Sequence, residues 1–173
     1  MFDLTPAHIH LAVNHLPVVG ALLATGTLAL AAITQRASMR NLGFALLIFA
    51  ALTALPAYFS GEGAEEMVED RPGVAEALIE RHEDAAAWAL AVTLAAGVVA
   101  AAGFLAIRLR QESAVRTLFA VALLSSLVAT GLMGQVANLG GQIRHDEIRS
   151  QSAADALQHS SDKPEARLRD DND

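Results

Sequence analysis

The chain of 173 residues contains no cysteine. That absence excludes disulfides, thiolate metal ligands and covalent attachment of a c-type haem. Charge is also scarce, at 18% of residues against 53% hydrophobic, and polar faces are missing with it. The apolar residues form continuous runs over 16–33, 42–59, 85–107 and 114–139 rather than amphipathic stripes. Each run is close to the ~20 residues that cross a ~30 Å hydrocarbon layer. A water-soluble bundle would need a polar face on every helix. The expected fold is therefore all-α: a bundle of four transmembrane helices in a lipid bilayer, with an acidic extracytoplasmic segment between the second and third.

No base precedes the first run, where 1–7 carries an acid instead, so no cleavable signal peptide is expected. Thr5 and Pro6 read as an N-cap followed by proline at the first helical position, which starts the first helix near Pro6. Arg36 and Arg40 lie in the link between the first two spans, and Arg108, Arg110 and Arg116 lie in the link between the last two. These outweigh Arg144 and Arg149 and put both links in the cytoplasm. Both termini and the acidic 61–81 segment then face the periplasmic side of a bacterial inner membrane. Within that segment 70–73 is a helix-start signal, with Pro72 in the first turn. Residues 1–149 form the transmembrane domain, and the polar tail 150–173 is expected to be disordered. A net charge of −7 without a basic stripe outside the short links excludes nucleic-acid binding.

The cytoplasmic half also lacks histidine. His8, His10, His15, His82 and His145 all fall at the opposite face, while His159 belongs to the tail and takes no role. Ionisable groups near or in a membrane are costly and usually mark function. Counting 1.5 Å per helical residue from the apolar boundary, His15 lies roughly 1.5 Å outside, His82 about 4.5 Å, and His10 and His145 about 9 Å. Depth therefore pairs His15 with His82. Azimuth separates His10, which lies with Asn14, from His8 and His15 on another face. Leu78 and His82 share an inward face, and Glu76, Glu80 and Glu83 an outward one. Pro17 should kink the first helix, and Pro56 sits at matching depth in the second. In the last span Leu127, Gly131, Gly134, Asn138, Gly141 and His145 make a nearly bare stripe. It is readable as helix packing or, ending as it does on a histidine, as a ligand groove.

The segments HIHLAVNHLPVVG (8–20), LPAYFSGEGAEE (55–66), GVAEALIERHEDAA (73–86) and NLGGQIRHDEIR (138–149) resemble the hallmark segments of a bacterial family of four-helix membrane proteins, a domain of unknown function. The resemblance covers nearly all of the chain except the tail. It implies a four-span fold and membrane residence, and it marks His10, Asn14, His15, Glu65, His82, Glu83 and His145 as motif positions. It brings no activity with it.

Two cofactor classes suit these residues. A non-covalent b-type haem needs imidazoles facing each other across a flat apolar slot. His15 and His82 are then the preferred pair, with His10, His145, Gly141 and Arg144 as further binding residues and Arg144 neutralising a propionate. A transition metal such as Fe, Cu or Zn instead needs three or more donors in one small sphere, which His82, His145, Glu65, Glu66 and Glu83 could supply. Haem is preferred because of the glycine stripe and the apolar setting, although the acidic loop favours metal. The expected role is electron transfer between a membrane donor, such as quinol, and a periplasmic electron-transfer protein. A third reading is a structural or assembly subunit whose histidines only hydrogen-bond. Ser60 has no matching His and acid in order, which argues against a hydrolase, and an electron-transfer or binding subunit is favoured over a stand-alone enzyme. The sequence leaves the oligomeric state open.

Overall fold

In the computed structural model, which describes residues 5–65, 67, 76–145 and 148, Thr5 starts the first helix as its composition dictates. Its Oγ1 accepts from the His8 N–H at 3.4 Å, and Pro6 occupies the first turn. This helix, α1 (Pro6–Val13), is separated from α2 (His15–Thr34) only at Asn14. The cause lies at Pro17, which has no N–H for the Val13 carbonyl. Asn14 keeps helical angles and donates its N–H to His10 O at 2.9 Å, so α1 and α2 form one membrane-length unit, Pro6–Thr34.

The other three spans are α3 (Ala37–Glu65), α4 (Glu76–Arg108) and α5 (Glu112–Arg144). Gln35 and Arg110, with φ of 55° and 57°, reverse the chain in two tight turns at the same end of the molecule. A helix of 29 residues such as α3 runs about 44 Å at 1.5 Å per residue, against about 40–45 Å for a bilayer with its headgroups. The helices therefore outrun their apolar cores and take up part of the acidic segment. Glu62 and Glu65 ride on the end of α3, and Glu76, Glu80 and Glu83 on the start of α4. The helix start expected at 70–73 and the tail 150–173 lie outside the described residues.

Around the bundle the order is α2, α3, α4, α5, with α5 closing on α2 and α1 lying against α3. The seams are built from small residues. A Cβ on Gly97 would stand 2.5 Å from Ala51 Cβ, and one on Gly103 would stand 2.6 Å from Phe44 Cε2. Phe44 fills the core near the arginine-bearing end, edge-on to Phe104 (5.7 Å) and Phe119 (6.5 Å). Ala21, Ala50, Ala54, Ala89 and Met133 fill the middle. Outside, large apolar side chains point away from the protein: Ile33 is 80% and Val98 70% exposed. A surface so apolar is matched to lipid rather than water, and the four spans make this a multi-pass membrane protein.

One expectation is corrected by α5. The stripe through Gly131 and Gly134 faces outward: a Cβ at either position would meet nothing within 4 Å, and Leu127 is 53% exposed. It is not a groove inside the bundle. The inward face is a second stripe of the same three-and-four spacing, running through Ala122, Ser126, Ala129 and Met133 to Gly140.

This arrangement predicts opposite outcomes for glycines that look alike in sequence. Gly97→Val overpacks the α3–α4 seam and should cost about 1–3 kcal/mol, seen as a lower thermal midpoint in detergent. Gly131→Val projects outward and should stay within about 0.5 kcal/mol of the wild type.

Candidate functional site

A carbonyl oxygen can only accept a hydrogen bond, so a histidine nitrogen bonded to one must carry the proton. Two histidines are held this way. His10 on α1 donates from Nδ1 to Ala57 O on α3 at 3.0 Å, and His82 on α4 donates from Nδ1 to Val136 O on α5 at 3.1 Å. Each neutral ring is thereby fixed as the Nδ1–H tautomer, and its Nε2 keeps a lone pair.

Local sequence makes room for both rings. Ser60 sits one turn beyond Ala57 on α3; its Oγ donates to Ala57 O at 3.2 Å and lies 3.3 Å from His10 Nδ1, where it accepts a share of the same N–H. Gly61 presents no side chain to the His10 ring, since a Cβ there would stand 3.5 Å from Cε1. Gly140 does the same more tightly for His82, where the distance would be 3.1 Å. His82 lies within electrostatic reach of His10 and of Glu83, and His10 within reach of His15. The Asn14 Oδ1 is buried with no hydrogen-bond partner among the described residues, one turn beyond His10 on the same helical face.

The other candidates are placed differently. His15 is exposed at the start of α2, and the histidine that acts electrostatically on His82 is His10, from the outer layer of the depth count. His8 is exposed and bonds Thr5 Oγ1 through Nδ1 at 2.8 Å. His145 is exposed and ends α5, its backbone N–H bonded to Gly141 O at 3.0 Å. A Cβ on Gly141 would meet Ile148 Cδ1 at 3.3 Å rather than either of the two rings. Glu83 is exposed and Glu65 half-buried at the end of α3. Glu66 and the side chain of Arg144 lie outside the described residues. Among the described residues no three His, Asp or Glu side chains converge as a metal-holding group.

Sequence reasoning missed the two carbonyl anchors, Ser60 as a neighbour of His10, and Gly140 as the seat of His82. The only signal for Gly140 was its place on the inward stripe of α5. As donors, His10 and His82 fit a group that takes two imidazoles, and the orphaned Asn14 oxygen adds a polar contact beside them. They do not make up the set of three or more that a protein-held transition metal requires.

These features define the class: an all-α, four-span membrane protein with a pair of anchored imidazoles toward one end of its bundle. Comparison with known proteins gives no matching family model, no matching curated protein and no matching solved structure.

The two tautomers are open to direct measurement. Ring ¹⁵N NMR of the ligand-free protein at a pH where the rings are neutral should show Nδ1–H and unprotonated Nε2 for both His10 and His82. Gly140→Leu should disturb the His82 pattern and leave that of His10 in place.

Proposed function

We propose that the chain is a small electron-transfer protein of the bacterial inner membrane that holds a non-covalent b-type haem through His10 and His82. The observation that carries this reading is the pair of imidazoles on different helices, each oriented by a backbone carbonyl on Nδ1 and each with its Nε2 lone pair available. A hydrogen bond at the far nitrogen fixes the ring and raises its basicity as a ligand. Two such rings suffice for bis-imidazole haem ligation, whereas Fe, Cu or Zn held by protein donors alone asks for more. When bound, haem supplies one-electron chemistry at a potential set by its axial ligands and surroundings.

The chain's own residues do the holding. Ala57 and Val136 orient the rings, Gly61 and Gly140 leave them space, and the packed helices half-bury both. The absence of cysteine restricts the attachment to ligation and packing. The opposite end of the bundle has no histidine, so electrons would enter and leave at one face, between a quinol and a periplasmic acceptor. Residence in the four-helix family suggested by the sequence agrees with the use of His10, Asn14 and His82. The arginine bias supports an orientation with both termini outside.

A second reading has one observation of its own. Each of the two histidines already joins two helices, α1 to α3 and α4 to α5, as expected of a structural subunit with no ligand.

Titration of the purified full chain with haemin separates the two readings. Ligation should give a Soret band of low-spin, bis-imidazole type. His10→Ala and His82→Ala should each weaken binding at least ~10-fold, the loss of one strong ligand contact of about 1.4 kcal/mol or more, while His15→Ala retains the spectrum. A colourless protein whose His10 and His82 variants lose only thermal stability would select the structural reading. Topology is tested apart from this: a cytoplasm-only reporter fused to the C-terminus should be inactive, and activity there would invert the orientation.

A further inference from the structure

The end of the bundle away from the histidines carries a second built feature. A cleft of about 180 Å³ opens where the end of α2 and the starts of α3 and α5 meet. Its floor is apolar: Ala31 and Val115 are buried, and Phe119 is half-buried against Phe44. Its rim is cationic, with Arg36 and Arg40 from the α2–α3 side and Arg116 from α5.

Arg36 and Arg40 are four residues apart and so project from one face of the chain as it enters α3. Arg116 stands one turn into α5. Among the described residues none of the three guanidinium groups pairs with a carboxylate, and Arg40 makes only two long contacts, at 3.4 Å, to Asn41 Oδ1. The one acid on the rim is Glu112. Two membrane-length helices also start here, and α5 has no side-chain cap on its first turn. Their N-terminal dipoles are opposed there by the C-terminal dipole of α2, so the arginines carry the positive potential of the cleft.

Positive charge in the link alone would satisfy a topology bias, and Arg108 and Arg110 at the same end do that without lining the cleft. Arg36, Arg40 and Arg116 do more, because they surround an apolar floor. The cleft also stands at the end of the α2–α5 seam, the slightest of the four that close the ring. Below it the two helices present apolar side chains outward, Leu30 and Val121 among them. A ligand suited to this surface has a phosphate-bearing anionic head and a hydrocarbon tail.

We propose that this cleft binds the phosphodiester headgroup of an anionic membrane lipid, with Arg36, Arg40 and Arg116 on the phosphate and the acyl chains along the α2–α5 seam. Basic pockets between transmembrane helices suit such headgroups, and arginine matches phosphate oxygens in a bidentate way. Bound lipid would bridge the chain's most lightly packed seam.

The test uses the full chain in a neutral detergent, titrated with phosphatidylglycerol while thermal unfolding is followed. The midpoint should rise to a plateau, because a ligand that binds only the folded state stabilises it. Arg40→Gln and Arg116→Gln should each weaken the apparent affinity roughly five-fold, the worth of one basic residue at a lipid surface. Arg108→Gln should change nothing. Glu112→Gln, which removes the opposing charge at an exposed position, should tighten binding and so reads the site even if an arginine variant folds poorly. Phosphatidylcholine and inorganic phosphate at matched concentration should give no plateau. Three results would each overturn the proposal: no response to phosphatidylglycerol, an equal loss on Arg108→Gln, or a response reproduced by inorganic phosphate, which would make the cleft a soluble-anion site.

Discussion

Hydrocarbon offers no hydrogen-bond partner, so every peptide group of this chain inside the bilayer must be satisfied by the chain itself. That constraint makes all four spans helical and forces the long helices to extend to the headgroups before the backbone can turn. It also explains where irregularity is tolerated. Pro17 and Pro56 each withdraw an N–H from the helical ladder, and both lie toward the end of the bundle that carries the histidines. There Asn14 marks the junction of α1 and α2, and the carbonyl of Ala57, next to Pro56, accepts from both His10 and Ser60.

The same solvent removes the usual driving force for packing. Lipid is as apolar as leucine, so the helices gain little by burying large side chains and associate through close approach of small ones. The seams obey this: alanine and glycine dominate the interior, Gly43, Gly97 and Gly103 accept neighbours at distances no Cβ would allow, and large aliphatic side chains are turned to the outside. Most hydroxyls bond carbonyls of their own helix, but one pair ties two spans together. The Oγ1 atoms of Thr25 and Thr130 lie 2.9 Å apart across the α2–α5 seam.

Polar chemistry is left to the two ends, and the ends differ in kind. At one, neutral imidazoles are held at backbone carbonyls, an arrangement suited to ligating a metal centre. At the other, arginines that pair with no carboxylate among the described residues ring an apolar floor, an arrangement suited to an anionic amphiphile. A single bundle of small-residue seams thus offers both proposed sites, one for a flat redox group and the other for the membrane's own headgroups.

The sequence alone determined the helical class, the four spans, the Thr5 cap, the disturbance at Pro17 and the inward face of α4 through Leu78 and His82. These depend on composition and local stereochemistry, which act over a few residues. It also placed the histidines at one end and the link arginines at the other, because helix lengths fix depth. Only tertiary structure decided azimuth between helices. Periodicity shows which residues of α5 share a face but not which face turns inward, and its two stripes of equal spacing were indistinguishable until α4 was packed against one of them. For the same reason depth favoured His15 as the neighbour of His82, whereas the packing of α1 on α3 turned His10 inward and left His15 exposed. The anchoring carbonyls of Ala57 and Val136 lie 47 and 54 residues from their histidines, a distance across which a sequence carries no geometric record.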